Sequence, residues 1–297
     1  MKNFYHPLAG LVLATFNLSF AHADDPVKVD DPAYSWTGHV DLVSKYILRG
    51  ATTTYGTAPL GNAGADAPES NRPALQWGAD INWKSGFYAG YWASTINYSY
   101  SQLGKSYSDR NITNFQHNKS VENDLYGGYN GTVGDFTYTV GVTGYVYFHG
   151  THSDALETKL GVGYGPVTLL AQTLLRDTVW GNSGDTYWTL NYTHTLPYKI
   201  NFTGSLGAYT YSKQGKYLGT TDTLTQTACA PGQSFVVNGC FSGGAPKEGA
   251  FRHLILGITQ PIGDTGFTWS LTGIIGGETR FGYKQDNKAV VGLSYGF

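Results

Sequence analysis

Ala289-Val290-Val291-Gly292-Leu293-Ser294-Tyr295-Gly296-Phe297 closes the chain, and Ala289, Val291, Leu293, Tyr295 and Phe297 alternate with Val290, Gly292, Ser294 and Gly296. One face of this last strand is therefore apolar and aromatic to the final residue. A period of two with one apolar face is the pattern of a transmembrane β-barrel, in which lipid-facing residues alternate with lumen-facing ones. A terminal strand ending on an aromatic residue is also what the bacterial barrel-insertion machinery recognises, so Val291, Leu293, Tyr295 and Phe297 are the expected insertion signal.

The other end of the chain agrees. Lys2 and His6 precede an apolar stretch from Leu8 to Phe20, followed by Ala21-His22-Ala23, the small-x-small pattern of a secretory cleavage site. The stretch is interrupted by Thr15, Asn17 and Ser19 and is shorter than the roughly 20 residues of a spanning helix. The expected organisation is a signal peptide at 1–23, a short periplasmic segment at 24–35 and a barrel at 36–297. The expected address is the outer membrane of a Gram-negative bacterium.

Composition fits this class, with 40 glycines, 23 tyrosines and 7 tryptophans in a chain whose formal net charge is only -2. Neither a basic nucleic-acid surface nor an acidic tail is indicated, so nucleic acid is not an expected partner. Beyond the leader no apolar run is long enough for a helical span. Period-two segments recur instead. Trp36, Val40, Leu42, Tyr46 and Leu48 share one face against Thr37, His39, Asp41, Lys45 and Arg49. Leu75, Trp77, Ala79, Ile81 and Trp83 stand opposite Gln76, Gly78, Asp80, Asn82 and Lys84, and Phe136 to Phe148 repeats the arrangement. Helical spacing would not sort residues this way.

Extended along the chain, the pattern predicts a single all-β antiparallel barrel of about 12 strands, an even count as in bacterial barrels. The strands fall near 36–49, 73–84, 86–100, 121–132, 135–148, 154–164, 166–178, 185–196, 198–211, 250–261, 266–276 and 284–297. Tight turns, such as Lys84-Ser85-Gly86 and Gly165-Pro166, alternate with long polar loops at 50–72, 101–120 and 212–249. That asymmetry matches short periplasmic turns and long extracellular loops. A soluble sandwich, the competing fold, predicts no such rule. In the barrel, Trp36, Trp83, Trp92, Trp180, Trp188 and Trp269 mostly join the interfacial aromatic girdles.

Ser44-Lys45-Tyr46-Ile47-Leu48-Arg49-Gly50, then Pro73-Ala74-Leu75-Gln76 and Asp80, then Ser85 to Ser94 (SGFYAGYWAS), then Asp124-Leu125-Tyr126-Gly127-Gly128-Tyr129, form an ordered series. In order and spacing over residues 36 to 165 it resembles the TorF-type putative porins, and the resemblance implies an outer-membrane channel. Trp77, Lys45 and the 212–249 loop depart from that pattern.

Cys229 and Cys240, the only cysteines, both lie in the 212–249 loop. In an oxidising compartment a disulfide closing this hairpin is the expectation. Metal ligation is the alternative, weakened by the lack of a neighbouring histidine.

For a pore, the chemistry lies on the inward faces. Asp41, Lys45 and Arg49 stand four residues apart on the first strand, and Gln76 and Asp80 stand on the strand expected to pair with it. Glu122, Asp124, Glu157, Lys159 and Arg176 continue the pore-lining set. The signs are mixed, so weak ion selectivity is expected, since selectivity needs a ring of one sign. Facing charges either orient solutes in a wet channel or plug a small barrel with salt bridges, and each charge alone has the plain reading of solvating the wall. Arg49 is the most telling, at the mouth of the 50–72 loop, where it contacts an anionic group or pins the loop.

His149, His152, Ser153 and Asp154 can be drawn as a hydrolytic constellation, but sequence neighbours point to different faces and no Gly-x-Ser-x-Gly elbow occurs. No catalytic set, metal or cofactor is expected. The expected function is passive diffusion of small polar solutes, against a plugged structural or adhesive barrel. The expected partners are outer-membrane lipid, the insertion machinery and the solutes. Tyr-rich outer faces suit a homo-oligomer contact or lipid alike.

Overall fold

The computed structural model describes residues 32–52, 72–109, 111–112, 115, 117–228, 247–280, 282 and 284–297. The leader at 1–23 and the pair Cys229 and Cys240 lie outside the described residues.

Twelve antiparallel strands close into one barrel, each paired with its sequence neighbours and β1 with β12. They are β1 (Tyr34–Val43), β2 (Ala74–Trp83), β3 (Phe87–Thr95), β4 (Val121–Val133), β5 (Phe136–Tyr147) and β6 (Ala155–Tyr164). The second half comprises β7 (Val167–Leu174), β8 (Thr186–Leu196), β9 (Ile200–Thr210), β10 (Gly249–Pro261), β11 (Phe267–Gly276) and β12 (Lys288–Gly296). The connections β2–β3, β4–β5, β6–β7, β8–β9 and β10–β11 are short and share one end of the barrel with the start of β1 and the end of β12. This is the turn end, and the longer connections gather at the opposite loop end.

The seam shows why the terminal residues matter. β1 and β12 pair over only His39–Val43 and Gly292–Gly296. Phe297 lengthens the seam by exchanging backbone hydrogen bonds with Gly38, at 2.8 and 3.0 Å. Its ring lies over Gly38, where any Cβ would meet it at 2.5 Å, and packs edge-on against Trp36 at 6.3 Å.

The outer surface is apolar where a water-soluble protein would be polar. Val40, Leu42, Leu125, Val140, Leu160, Leu190, Leu206, Leu271 and Leu293 are all exposed, and an apolar belt of this extent needs lipid around it. Aromatic residues ring the turn end: Tyr34, Trp36, Trp83, Phe87, Phe136, Tyr164, Tyr198, Phe267, Tyr295 and Phe297 are exposed. Neighbouring rings pair across strands, as in Phe87–Tyr129 at 5.2 Å, Phe136–Tyr164 at 5.1 Å and Phe267–Tyr295 at 5.0 Å. Phe148, Trp188 and Phe251 are exposed near the loop end.

Several expectations are corrected. β1 ends at Val43 rather than 49, so Tyr46 and Leu48, expected on the lipid face, instead turn inward and are buried. Trp92 and Trp180 are not girdle residues. Trp92 is 2% exposed inside the barrel and Trp180 is buried among the loops. The 101–120 connection contains part of a short helix, α1 (Tyr100–Ser106), capped by the Ser99 side chain, which accepts from the Gln102 amide at 3.2 Å. β7 stops at Leu174, leaving Arg176 exposed in the following loop and off the lumen wall. Alternation holds only while a strand lasts.

Candidate functional site

The lumen differs sharply between its two ends. Along β10, β11 and β12 the inward face mixes Thr259, Thr268, Ser270, Thr272, Gly292 and Ser294 with the apolar Ile255, Ile274 and Val290, and together they line a cavity of about 350 Å³. His39, Asp41 and Gln76 line the same cavity from β1 and β2. His39 Nδ1 lies 2.8 Å from Asp41, and the Ser294 hydroxyl donates to Asp41 across the seam. Register sets Asp41 opposite Gln76, Gln76 opposite Ser94 and Ser94 opposite Glu122, so these residues form one tilted row.

Residues 44–52 do not continue up the wall. Ser44 still donates its amide to Val291 at 2.8 Å, after which the chain turns into the lumen and crosses it. Lys45, half-buried, and Tyr46, Ile47 and Arg49 bound the cavity where this segment passes. The Tyr46 hydroxyl donates to Glu122 at 2.9 Å on β4, and its ring packs on Trp92 at 5.5 Å. Burial, then the facing Glu122 and Asp124, push the Tyr46 phenol well above its usual pKa, so it stays a donor. A 3₁₀ turn at Leu48–Gly50 places Arg49 at φ 49°, in the left-handed region that non-glycine residues rarely occupy. Gly50 follows at φ 71°, and a Cβ there would meet His253 at 2.6 Å.

The turn delivers Arg49 to the far wall. Its guanidinium binds Glu157 on β6 bidentately at 2.9 and 2.6 Å. It also donates to the hydroxyls of Tyr145 on β5 at 3.0 Å and Tyr209 on β9 at 3.1 Å, and lies 4.7 Å from the ring centroid of Tyr187 on β8. Burial disfavours the Arg49 charge, but the Glu157 carboxylate and the two tyrosines more than offset it. From behind, Arg252 Nε donates to the Arg49 carbonyl at 2.9 Å. Arg252 is aimed inward by a register shift in β10 between Phe251 and His253. The slip was readable in the sequence, where the apolar positions 251 and 254 break the period of two.

Above this level the loops fill the barrel. Tyr98, Tyr100, Leu103, Tyr107, Phe115, Tyr147, Leu174, Val179, Trp180 and Leu218 form one buried cluster with Tyr46, Leu48 and Trp92. The Tyr100 and Tyr147 rings pack at a tilt with centroids 4.3 Å apart, Tyr107 donates to the Val179 carbonyl at 3.0 Å, and Trp180 Nε1 donates to the Ser153 carbonyl at 2.7 Å. A second arginine locks the cap. Arg280 pairs with Asp185 and lies 4.6 Å from the Tyr211 ring centroid, while Asp185 also accepts from the amides of Asn182 and Ser212 at 2.7 and 2.9 Å.

The remaining residues singled out in the sequence are spread over the wall. Asp80 accepts from Tyr126 at 2.5 Å, and Lys159 lies 5.8 Å from the Tyr88 ring centroid. Asp124 is fully buried beside Glu122, and neither of its oxygens has a hydrogen-bond partner among the described residues. His152 stacks on Tyr217 at 5.0 Å, Asp154 accepts from the Tyr147 amide at 3.0 Å, and the Ser153 hydroxyl has no hydrogen-bond partner among the described residues. The hydrolytic constellation is not assembled there. Arg252, His253, Asp185 and Arg280 were not singled out by sequence, because loops and a bulge deliver them.

Among solved structures, the KdgM porin aligns over 87% of this chain and 99% of its own, at 8% identity and a TM-score of 0.46. OccAB3 of Acinetobacter baumannii aligns over 90% and 65% at 9% identity and a TM-score of 0.37. Outer membrane phospholipase A of Escherichia coli aligns over 86% and 90% at 12% identity and a TM-score of 0.36. No curated protein matches the chain. The family described as Gcw_chp, a bacterial protein of unknown function, matches residues 28–225, and the chain belongs to this family.

Proposed function

We propose that the chain is an outer-membrane channel for passive diffusion of small polar solutes, with weak ion selectivity, and that its loop end is closed in the state described. In this reading the turn end faces the periplasm and the loop end the exterior. The observation that carries it is a twelve-stranded barrel with a cavity of about 350 Å³ inside it, onto which Asp41, Lys45, Gln76 and the hydroxyls of β10 to β12 open. Twelve strands enclose more width than the roughly eight that side chains alone can fill. The resemblance to TorF-type porins over residues 36–165 supports the same reading. Weak selectivity follows from the mixed signs on the wall and on the segment crossing it, with Arg49 set against Glu157 and Lys159 standing among carboxylates.

A second reading, a plugged structural or adhesive barrel, is favoured by one observation, the buried aromatic cluster that fills the loop end. Single-channel recording after refolding into a planar bilayer separates the two. Discrete steps, with a reversal potential near zero in a salt gradient, support the channel; a folded barrel that never conducts supports the plug. Assembly through the insertion machinery rests on Val291, Leu293, Tyr295 and Phe297, and loss of folded barrel in cells on deleting Phe297 is the expected outcome.

A further inference from the structure

Glu157 has partners on the barrel wall besides Arg49. Tyr145 donates to Glu157 at 2.8 Å, Gln172 Nε2 donates to the same carboxylate oxygen at 3.2 Å, and the Tyr187 and Tyr209 rings pack at 5.0 Å. All these residues sit on strands β5 to β9, and these contacts among them do not involve Arg49. Glu157, Tyr187 and Tyr145 are 2%, 2% and 4% exposed. A carboxylate presenting two oxygens in a plane, hydroxyls at its edge and an aromatic face alongside is complementary to one chemical group, a planar guanidinium. A compact ammonium matches neither the fork nor the ring face.

The group that fills this place belongs to no strand. Arg49 is carried in by a segment that has left β1 and is held in a left-handed conformation at the delivery point. Arg49 and Tyr187 also line the cavity, so solute in the cavity reaches the same place once the arginine withdraws.

We propose that Glu157 with Tyr145, Tyr187 and Tyr209 is a receptor for guanidinium-bearing solutes, which the chain's own Arg49 occupies in the closed state. The inference rests on the channel reading and deepens it: a solute of this class competes with Arg49, and its binding stabilises the arrangement in which residues 44–52 have withdrawn. Because Arg49 is tethered, its high effective concentration makes free ligand a weak competitor in the unaltered chain and a strong one once Arg49 is removed.

The test uses the refolded chain with Arg49→Met, alone and combined with Glu157→Gln, and two probes at equal millimolar concentration, methylguanidinium and methylammonium. Thermal unfolding in detergent is read by tryptophan fluorescence, Trp180 lying 6.0 Å from Tyr145. Methylguanidinium is expected to raise the midpoint of Arg49→Met by several degrees, methylammonium not to, and neither to move the double variant. Equal shifts with both cations, equal shifts in both variants, or no shift in Arg49→Met would overturn the receptor.

If Arg49→Met does not refold, bilayer recording of the unaltered chain decides. Methylguanidinium, used at roughly tenfold the millimolar effective concentration of the tethered Arg49, must then raise the open fraction above that in equal methylammonium, and equal open fractions overturn the proposal. The thermal readout does not require conduction. A selective shift in a barrel that never conducts keeps the receptor and removes the channel, whereas a conducting barrel without the shift does the reverse.

Discussion

The two ends of the lumen are built from the same twelve strands and differ in what fills them. At the loop end, large aromatic side chains and paired charges arrive on connecting segments and fill the interior among the described residues. Along the turn-end part of β10 to β12, threonine, serine and glycine keep the wall thin, and the cavity survives. Arg49 and Arg280, two of the three buried arginines among the described residues, belong to the filled part, yet they meet different surroundings. Arg280 and Asp185 border a small pocket in the cap that they share with Arg49 and Glu157, whereas Arg49 alone of these four also borders the cavity of about 350 Å³. The scaffold is a twelve-stranded barrel, and what fills it at one end comes from its loops.

The contrast between the arginines gives the largest predicted effect. Arg280→Met strands Asp185 in a packed cap and is expected to cost about 3–5 kcal/mol, read as a lower urea midpoint. Arg49→Met is expected to cost clearly less, because the place the guanidinium leaves adjoins the cavity that Arg49 itself borders. Equal losses would erase the distinction between a fixed lock and a displaceable one. On the outer wall, Leu271→Arg places a cation in the lipid belt and is expected to cost about 2–4 kcal/mol if that position lies near the bilayer midplane. An unchanged midpoint would mean that this face does not meet lipid.

Asp124→Asn is expected to change the barrel's stability by less than about 1 kcal/mol, because it exchanges one buried polar group without a hydrogen-bond partner among the described residues for another of nearly the same shape, and a loss of several kcal/mol would show a compensated charge at Asp124. Ser270→Leu has the smallest expected effect on folding, within about 0.5 kcal/mol. It narrows the cavity, so conductance is expected to fall while the unfolding midpoint stays put; a conductance unaffected by this change would move the solute path away from β11.

The barrel was legible because its signal is repeated twelve times. Each strand sorts apolar from polar residues with a period of two, and turn and loop lengths alternate in step. The inward set on intact strands, such as Glu122, Asp124, Glu157 and Lys159, follows from that period alone. Where a strand stops, the period carries no information. Ser44 to Gly50 reads in sequence as the rest of β1, since Tyr46 and Leu48 keep the alternation, but the backbone leaves the sheet at Ser44 and turns them inward. Trp92 illustrates a different gap: it lies on the inward face of β3, yet aromatic identity suggested a girdle, and what buries it is Tyr46, delivered from elsewhere. Arg280 and Asp185 meet across 95 residues through two loops, and no local pattern encodes such a meeting.

The most direct test of a channel closed by its own segment 44–52 is paired single-channel recording of the unaltered chain and Glu157→Gln under one salt gradient. The prediction is brief discrete openings in the first and a several-fold larger open fraction in the second, both with weak ion preference. Two folded, heat-modifiable barrels that leave the bilayer sealed, or identical open fractions in both, would contradict it.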